Sequence, residues 1–338
     1  FKYDFHLFDV NLNTQKTTTA NASGNNDLSP EMKTFYDKVL LRSAEPELVH
    51  DQFGQKRPIP ANNGKTIEFR RFTSLPKMDK TPLVEGVTPD GQNINVTKIE
   101  ATIKQYGGYV TTSDLLDLTA FDQVTAETLK LLGSQAGRTS DTITRDILCS
   151  GKTRLIAGQD KDGAKRSDIT ATSTLKIADI KKAVRVLKRN NAPKIGDSYV
   201  AIVHPDTAYD LMNDPEWVEA QKYTTSDKIF NGEIGHMYGV RFVESTEAKI
   251  WSKADAQDGA TVPIYATIVL GQDAYGITSI NGGGIETITK QLGSGGTADP
   301  LNQRATIGWK MNKAAEILDD TRMVRIEHTC TGAEDKSN

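Results

Sequence analysis

Between residues 64 and 114 the apolar and polar positions alternate with the period of β-strands. In Gly64-Lys65-Thr66-Ile67-Glu68-Phe69-Arg70-Arg71-Phe72, Ile67 and Phe69 alternate with Glu68 and Arg70, which predicts a strand with one apolar face. From Asn93 to Asp114, Ile94 and Val96 keep one phase, while Ile99, Ala101 and Ile103 keep the other. The slip near Thr97-Lys98 predicts a bulge or a sharp twist. Pro76, Pro82, Pro89, Gly86 and Gly91 lie between the two stretches. Together they predict a long two-stranded arm over 57–111 with an irregular, polar tip. At ~3.3 Å per residue, about 15 residues project roughly 50 Å. An isolated hairpin is only marginally stable in water, so such an arm is expected to lie on another subunit.

Elsewhere the period is helical or mixed. Ser29-Pro30-Glu31 has the chemistry of a helix start, and Phe35, Val39 and Leu40 give that helix an apolar side to about Arg42. Thr119 and Asp122 are spaced as a capping box for the longest helix, from Asp122 to Leu148 and ~40 Å long. Gly133 and Gly137 within it predict close approach of another backbone, that of a sheet beneath. Residues 174–280 mix helix and strand. Leu175 to Leu187 form an amphipathic helix, Tyr199–Val203 and Ile264–Leu270 buried strands, and Val240–Val243 a short one. Strands return at Ile285–Ile288, Ala305–Met311 and Val324–His328, and the polar tail after Thr329 is expected to be loose. Residues 1–28 have no period and predict an extended arm.

Composition narrows the class. The chain has 338 residues, 37% hydrophobic and 25% charged, enough for one large or two medium domains. Its formal net charge of −3, from 41 basic and 44 acidic residues, argues against a dedicated nucleic-acid binder. Two cysteines, Cys149 and Cys330, are too few for a disulfide framework. No apolar run is long enough to span a membrane.

A search for chemistry finds no convergent set. Gly64-Lys65-Thr66 and Gly151-Lys152-Thr153 lack the earlier glycine of a phosphate loop, because Ile59 and Asp146 hold that position. The five histidines, His6, His50, His204, His236 and His328, have no metal-ligand spacing among themselves or with cysteine. His204 beside Asp206 is the one catalytic candidate, and a Pro-directed turn capping the next helix explains it more simply. No Gly-x-Ser-x-Gly elbow is present. The expectation is therefore no enzyme, with no catalytic, cofactor-binding or metal residues. Lys181, Lys182, Arg185, Lys188 and Arg189 read as a solvated helix face. The arm's charges have both signs: Arg70, Arg71, Lys77 and Lys80 against Glu85 and Asp90. That mixture suits a protein neighbour better than phosphate, so these six are the candidates for contact between subunits.

Several strings, taken in order, resemble the major capsid protein of tailed bacteriophages, the Hong Kong 97-type fold. They are GKTIEFRRF, TPLVEGVTPDGQ, YGGYVTTSDLLDLT, DPLNQRATIGWK and ILDDTRMVRIE. The resemblance runs from about residue 30 to 328 and weakens in 1–28 and 151–173. It implies an α+β fold with an N-terminal arm (1–55), an extended β-hairpin loop (56–111), and a peripheral domain with a long spine helix (112–173 and 281–330). An axial α/β domain (174–280) and a polar tail (331–338) complete it.

The resemblance also implies a function. The chain would self-assemble through hexamers and pentamers into an icosahedral shell around double-stranded phage DNA, touched without sequence preference. Scaffolding, portal or decoration proteins are the further partners, with no membrane. Its place is the virion, after assembly in the host cytoplasm. Some relatives join neighbouring subunits by a Lys–Asn isopeptide bond; Lys77 and Lys80 lie where such a Lys would be, but no Asn or Glu matches. The alternatives are the shell of a bacterial encapsulin-type protein compartment, or an α/β enzyme built on His204 and Asp206.

Overall fold

A computed structural model describes residues 30–44, 48–59, 65–73, 75, 77, 85–86, 88, 91–115, 124–159, 164–222, 235–256, 259–279, 285–294 and 299–338. In chain order its elements begin with α1 (Pro30–Ala44), β1 (Gln55–Arg57), β2 (Thr66–Phe72), β3 (Val96–Thr102), β4 (Lys104–Ser113), α2 (Val124–Leu148) and β5 (Arg154–Ile156). Then come α3 (Ile177–Arg189), β6 (Tyr199–Val203), α4 (Pro205–Met212), α5 (Pro215–Lys222), β7 (His236–Met237), β8 (Val240–Glu244), β9 (Ile250–Trp251) and β10 (Ile264–Leu270). The last are β11 (Tyr275–Thr278), β12 (Ile285–Lys290), β13 (Arg304–Lys313), β14 (Ala315–Ile317) and β15 (Met323–His328). The expected helix start at Thr119 and Asp122, the arm over 1–28 and part of the hairpin tip lie outside the described residues.

The chain divides into two units. The first draws on Phe1–Gln52, Lys104–Ile143 and Ser279–Lys313. Its sheet has the order β12-β13-β4, all antiparallel. Along β13, Ile307, Trp309 and Met311 point to one face and pack with Leu40 of α1 and Leu129, Leu132 and Ala136 of α2. This alternation follows from the period of two in a strand. Trp309 Nε1 donates to Gln135 Oε1 at 3.1 Å. Gly133 allows a close approach, but of α1 rather than the sheet. A Cβ there would lie 2.7 Å from Ser43 Cβ and 2.8 Å from the Leu40 carbonyl oxygen.

Charges buried in this unit fasten residues 50–51 to the helix and the sheet. Lys313 Nζ donates to Asp51 Oδ2 and, at 2.9 Å, to Ser140 Oγ, which itself donates to Asp51 Oδ2 at 2.8 Å. His50 meets Asp141 twice, through its backbone N–H and through Nδ1, each at 2.6 Å. Buried ions persist when they are paired and hydrogen-bonded in this way.

The second unit draws on Phe53–Ile103, Thr144–Thr278 and Ala314–Asn338. Its main sheet runs β5-β15-β10-β6-β8-β7, with β9 on β10. The fully buried β6, β10 and β15 form its centre, and α3 covers them with Ile177, Ile180, Ala183, Val184 and Leu187. The strands after residue 285 were expected to return to one domain, and β15 does not. It pairs antiparallel with β10 from Tyr265↔His328 to Leu270↔Met323, completing the sheet of the 174–280 region. Glu327 explains part of that choice. It is fully buried and bound at 2.9 Å by both Arg166 Nε and Arg166 Nη2, with Arg325 Nε at 3.0 Å.

The tail is not loose. Asn338 exchanges bonds with the 248–250 segment, donating from Nδ2 to the Ala248 carbonyl at 2.8 Å and accepting at Oδ1 from Ile250 N at 2.9 Å. Its carbonyl oxygen also accepts from Lys249 Nζ at 2.7 Å and from Arg145 Nη2 at 3.1 Å.

Candidate assembly surface

The hairpin is shorter in its paired part than its pattern predicts. β2 pairs antiparallel with β3 in unbroken register from Thr66↔Thr102 to Phe72↔Val96. Seven residues per strand span about 23 Å. No bulge lies at Thr97-Lys98. Ile94 and Val96 keep the other phase because they face solvent, 68% and 48% exposed. The expected single strand over 93–114 is two strands. It breaks at Ile103, after which β4 leaves β2 and pairs along its full length with β13.

The hairpin's root is anchored on its own chain. Ile67, Phe69 and Ala101 are buried with Ala314 and Leu318, and Ile99 and Ile103 pack beside them. Phe69 lies over Gly276 of β11, where an added Cβ would sit 2.4 Å from the ring. Only glycine leaves room for that aromatic ring. The Arg57 guanidinium stands 5.8 Å from the Phe69 centroid. Arg71 Nη1 donates to the Leu318 carbonyl at 3.1 Å and lies 3.5 Å from Asp319 Oδ1.

The opposite face is open. Lys98 Nζ bridges Glu68 at 2.5 Å and Glu100 at 2.8 Å, and its pKa is raised by those hydrogen bonds, the one to Glu100 first. Farther out the face turns apolar. Phe72 and Val96 form a cross-strand pair, with Phe72 62% and nearby Leu75 53% exposed. Solvent-facing cross-strand positions are ordinarily polar, and here the outer pair is apolar.

The six predicted contact residues fall into three groups. Arg70, Lys77 and Glu85 are exposed. Arg71 is instead held by its own chain. Lys80 and Asp90 lie outside the described residues. Phe72, Leu75, Ile94 and Val96, which a search by charge does not consider, are exposed as well. The signal was present in the sequence as Ile94 and Val96 standing out of phase with Ile99 and Ala101.

The catalytic candidate has a structural role. His204 Nδ1 caps α4 by accepting from Asp206 N at 3.2 Å, and Tyr265 donates to Asp206 Oδ2 at 3.0 Å. His50 and His328 are buried and His236 is exposed. Among the described residues no group of three or more His, Cys, Asp and Glu is placed to hold a metal, and no helix is long and apolar enough to cross a membrane.

The arrangement is that of a Hong Kong 97-type shell subunit: a hairpin anchored at its root, a sheet backed by one long helix, and a mixed α/β sheet. Solved capsids share it. The Cyanophage Pam1 capsid matches with a TM-score of 0.63 at 14% identity, covering 86% of this chain and 93% of that one. The Ralstonia phage GP4 capsid matches at 0.62 and 13%, covering 81% and 86%. The Cyanophage P-SCSP1u capsid matches at 0.60 and 15%, covering 84% and 89%. A sequence comparison with curated proteins finds no match. Residues 96–326 match the phage capsid protein family, and the chain belongs to it. Its function is structural: it is a major capsid protein of tailed phages and forms the shell of the virion.

Proposed function

We propose that copies of the chain close an icosahedral shell by laying the outer part of each hairpin on a neighbouring subunit. The observation that supports this is the contrast along one hairpin: a root with Phe69 fully buried and an outer end with Phe72, Leu75, Ile94 and Val96 in solvent. Arg70, Lys77 and Glu85 flank that end and set its orientation on the neighbour. Many such contacts accumulate affinity that no single contact has.

In this reading residues 1–55 are the N-terminal arm and 56–111 the extended loop. Residues 112–143 with 281–313 are the peripheral domain. Residues 144–280 with 314–330, which share the sheet that β5 and β15 join, are the axial domain around the five- and six-fold positions. The inner face meets double-stranded DNA without reading sequence. Scaffolding, portal and decoration proteins join during assembly in the host cytoplasm. The test is electron microscopy of particles of the chain together with their nucleic-acid content. Closed shells holding double-stranded DNA are expected. Shells holding a cargo protein and no DNA favour a protein compartment, and a small oligomer of fixed size refutes the shell.

A further inference from the structure

Helix α3 has two faces of different chemistry. One is the apolar stripe of Ile177, Ile180, Ala183, Val184 and Leu187 that closes the core of the second unit. The other is basic. From Lys176 to Arg189 stand six cations and one acid, in a chain whose net charge is −3. That acid, Asp179, is buried and bound by Lys182 Nζ at 3.2 Å. Lys181 is engaged as well, by Glu216 at 2.5 Å and by the Tyr238 ring at 4.3 Å. Arg185, Lys188 and Arg189 remain. They are exposed, share one ridge at i, i+3 and i+4, and form no ion pair with the described residues. Beyond the helix, Asn190 Nδ2 donates to the Thr321 carbonyl at 3.1 Å, and the two acids of that turn are bound elsewhere. Asp319 accepts from Thr321 N at 3.1 Å and lies 3.3 Å from Arg322 Nε, and Asp320 accepts from Lys152 N at 3.1 Å.

We propose that the Arg185-Lys188-Arg189 ridge is a phosphate-contact surface for double-stranded DNA, and that it faces the contents of the shell. The inference rests on the shell reading and deepens it, by naming the residues that meet the DNA. The helix dipole accounts for Lys188 and Arg189 in the last turn, but not for Arg185 one turn earlier. A protein neighbour would seek an apolar centre to its contact. The only exposed apolar residue of α3 is Ala178. The hairpin end, by contrast, combines apolar side chains with charges of both signs. A ridge of one sign, carried on long side chains in water, suits phosphates contacted without base readout. Three contacts per copy are weak alone and accumulate over the many copies of a shell.

The test compares the dissociated full-length subunit with the triple variant Arg185→Gln, Lys188→Gln, Arg189→Gln. A control, Lys130→Gln, Lys253→Gln, Lys336→Gln, removes the same net charge from exposed lysines that already have acidic partners. Fluorescence anisotropy follows binding to two short duplexes of unrelated sequence between about 50 and 200 mM salt. Each phosphate contact contributes about 0.9 to the slope of log K against log salt, so the ridge variant is expected to lose about 2–3 from that slope on both duplexes, and the control to keep it. An unchanged slope in the ridge variant, an equal loss in the control, a loss on one sequence only, or no binding by the unaltered subunit overturns the proposal. Should the urea midpoint of the triple variant shift, the single variants Arg185→Gln and Lys188→Gln replace it, each expected to lose about 1. The ridge variant is also expected to close shells as the unaltered chain does. Failure of that variant alone to close them, at an unchanged urea midpoint, makes the ridge a contact between copies and overturns the proposal. If the unaltered chain forms no shells, the shell reading fails instead.

Discussion

Replacing Phe69 by Ala removes the ring on which the hairpin's root is built. Phe69 is fully buried, and its ring occupies the space that Gly276 leaves free. Truncating a buried Phe to Ala costs about 3–5 kcal/mol, from lost transfer energy and the cavity left behind. The cavity has little chance to collapse, because Gly276 brings no side chain and β11 is paired on both sides, with β1 and β14. Loss of the Arg57 contact adds about 0.5 kcal/mol. Urea unfolding of the dissociated subunit measures the change through its midpoint at constant slope. Shell yield should fall as well, because the outer residues lose a fixed base. A loss below about 1 kcal/mol would show that the root contributes nothing to the cooperative core, contrary to a transfer-plus-cavity cost.

Glu327→Gln leaves the Arg166 and Arg325 guanidiniums without their carboxylate, and about 3–5 kcal/mol of stability should be lost; chemical denaturation would expose a neutral outcome. His328 is buried, and burial lowers its pKa from 6.5 to about 4. Above pH 6.5 the imidazole is neutral folded or unfolded. Below that the unfolded chain takes the proton first, so stability falls with pH until about pH 4. At pH 4.5 the loss is about 2.5 kcal/mol, and His328→Gln should flatten that part of the pH–stability curve; an unchanged curve would assign the acid sensitivity to other groups. Gly133→Ala forces its Cβ against Ser43 and the Leu40 carbonyl, with an expected cost of about 1–3 kcal/mol in thermal unfolding, whereas a stabilised variant would mean that α1 does not lie where described.

Long, regular stretches were legible in the sequence. Tyr199–Val203 and Ile264–Leu270 are strands with the predicted ends, and α2 and α3 follow their apolar stripes. The hairpin's root was legible too, since Ile67 and Phe69 share one phase and are buried together. Partner choice was not legible. Nothing local divides residues 96–113 between two sheets, yet β3 joins β2 and β4 joins β13, a decision made by packing far along the chain. β15 went to the second unit for the same reason. The buried ion pairs were hidden because each partner looks like any surface charge in sequence. Lys313 stands 262 positions from Asp51 and Glu327 stands 161 from Arg166. At the candidate surface, a search by charge singled out Arg70, Lys77 and Glu85, which are exposed. It passed over Phe72 and Val96; the change of phase between Val96 and Ile99 was legible, but it was read as a bulge rather than as a face turned to solvent.

The most direct test of the account is deletion of residues 72–96, bridged by a two-residue Asn-Gly turn and imaged by electron microscopy beside the unaltered chain. The root residues Ile67, Phe69 and Ala101 remain, so the variant should unfold with the same midpoint as the unaltered subunit. It should appear as dispersed folded subunits, while the unaltered chain appears as closed shells. Closed shells of normal size from the deletion variant would contradict the assignment of the hairpin as the element that joins one copy to the next.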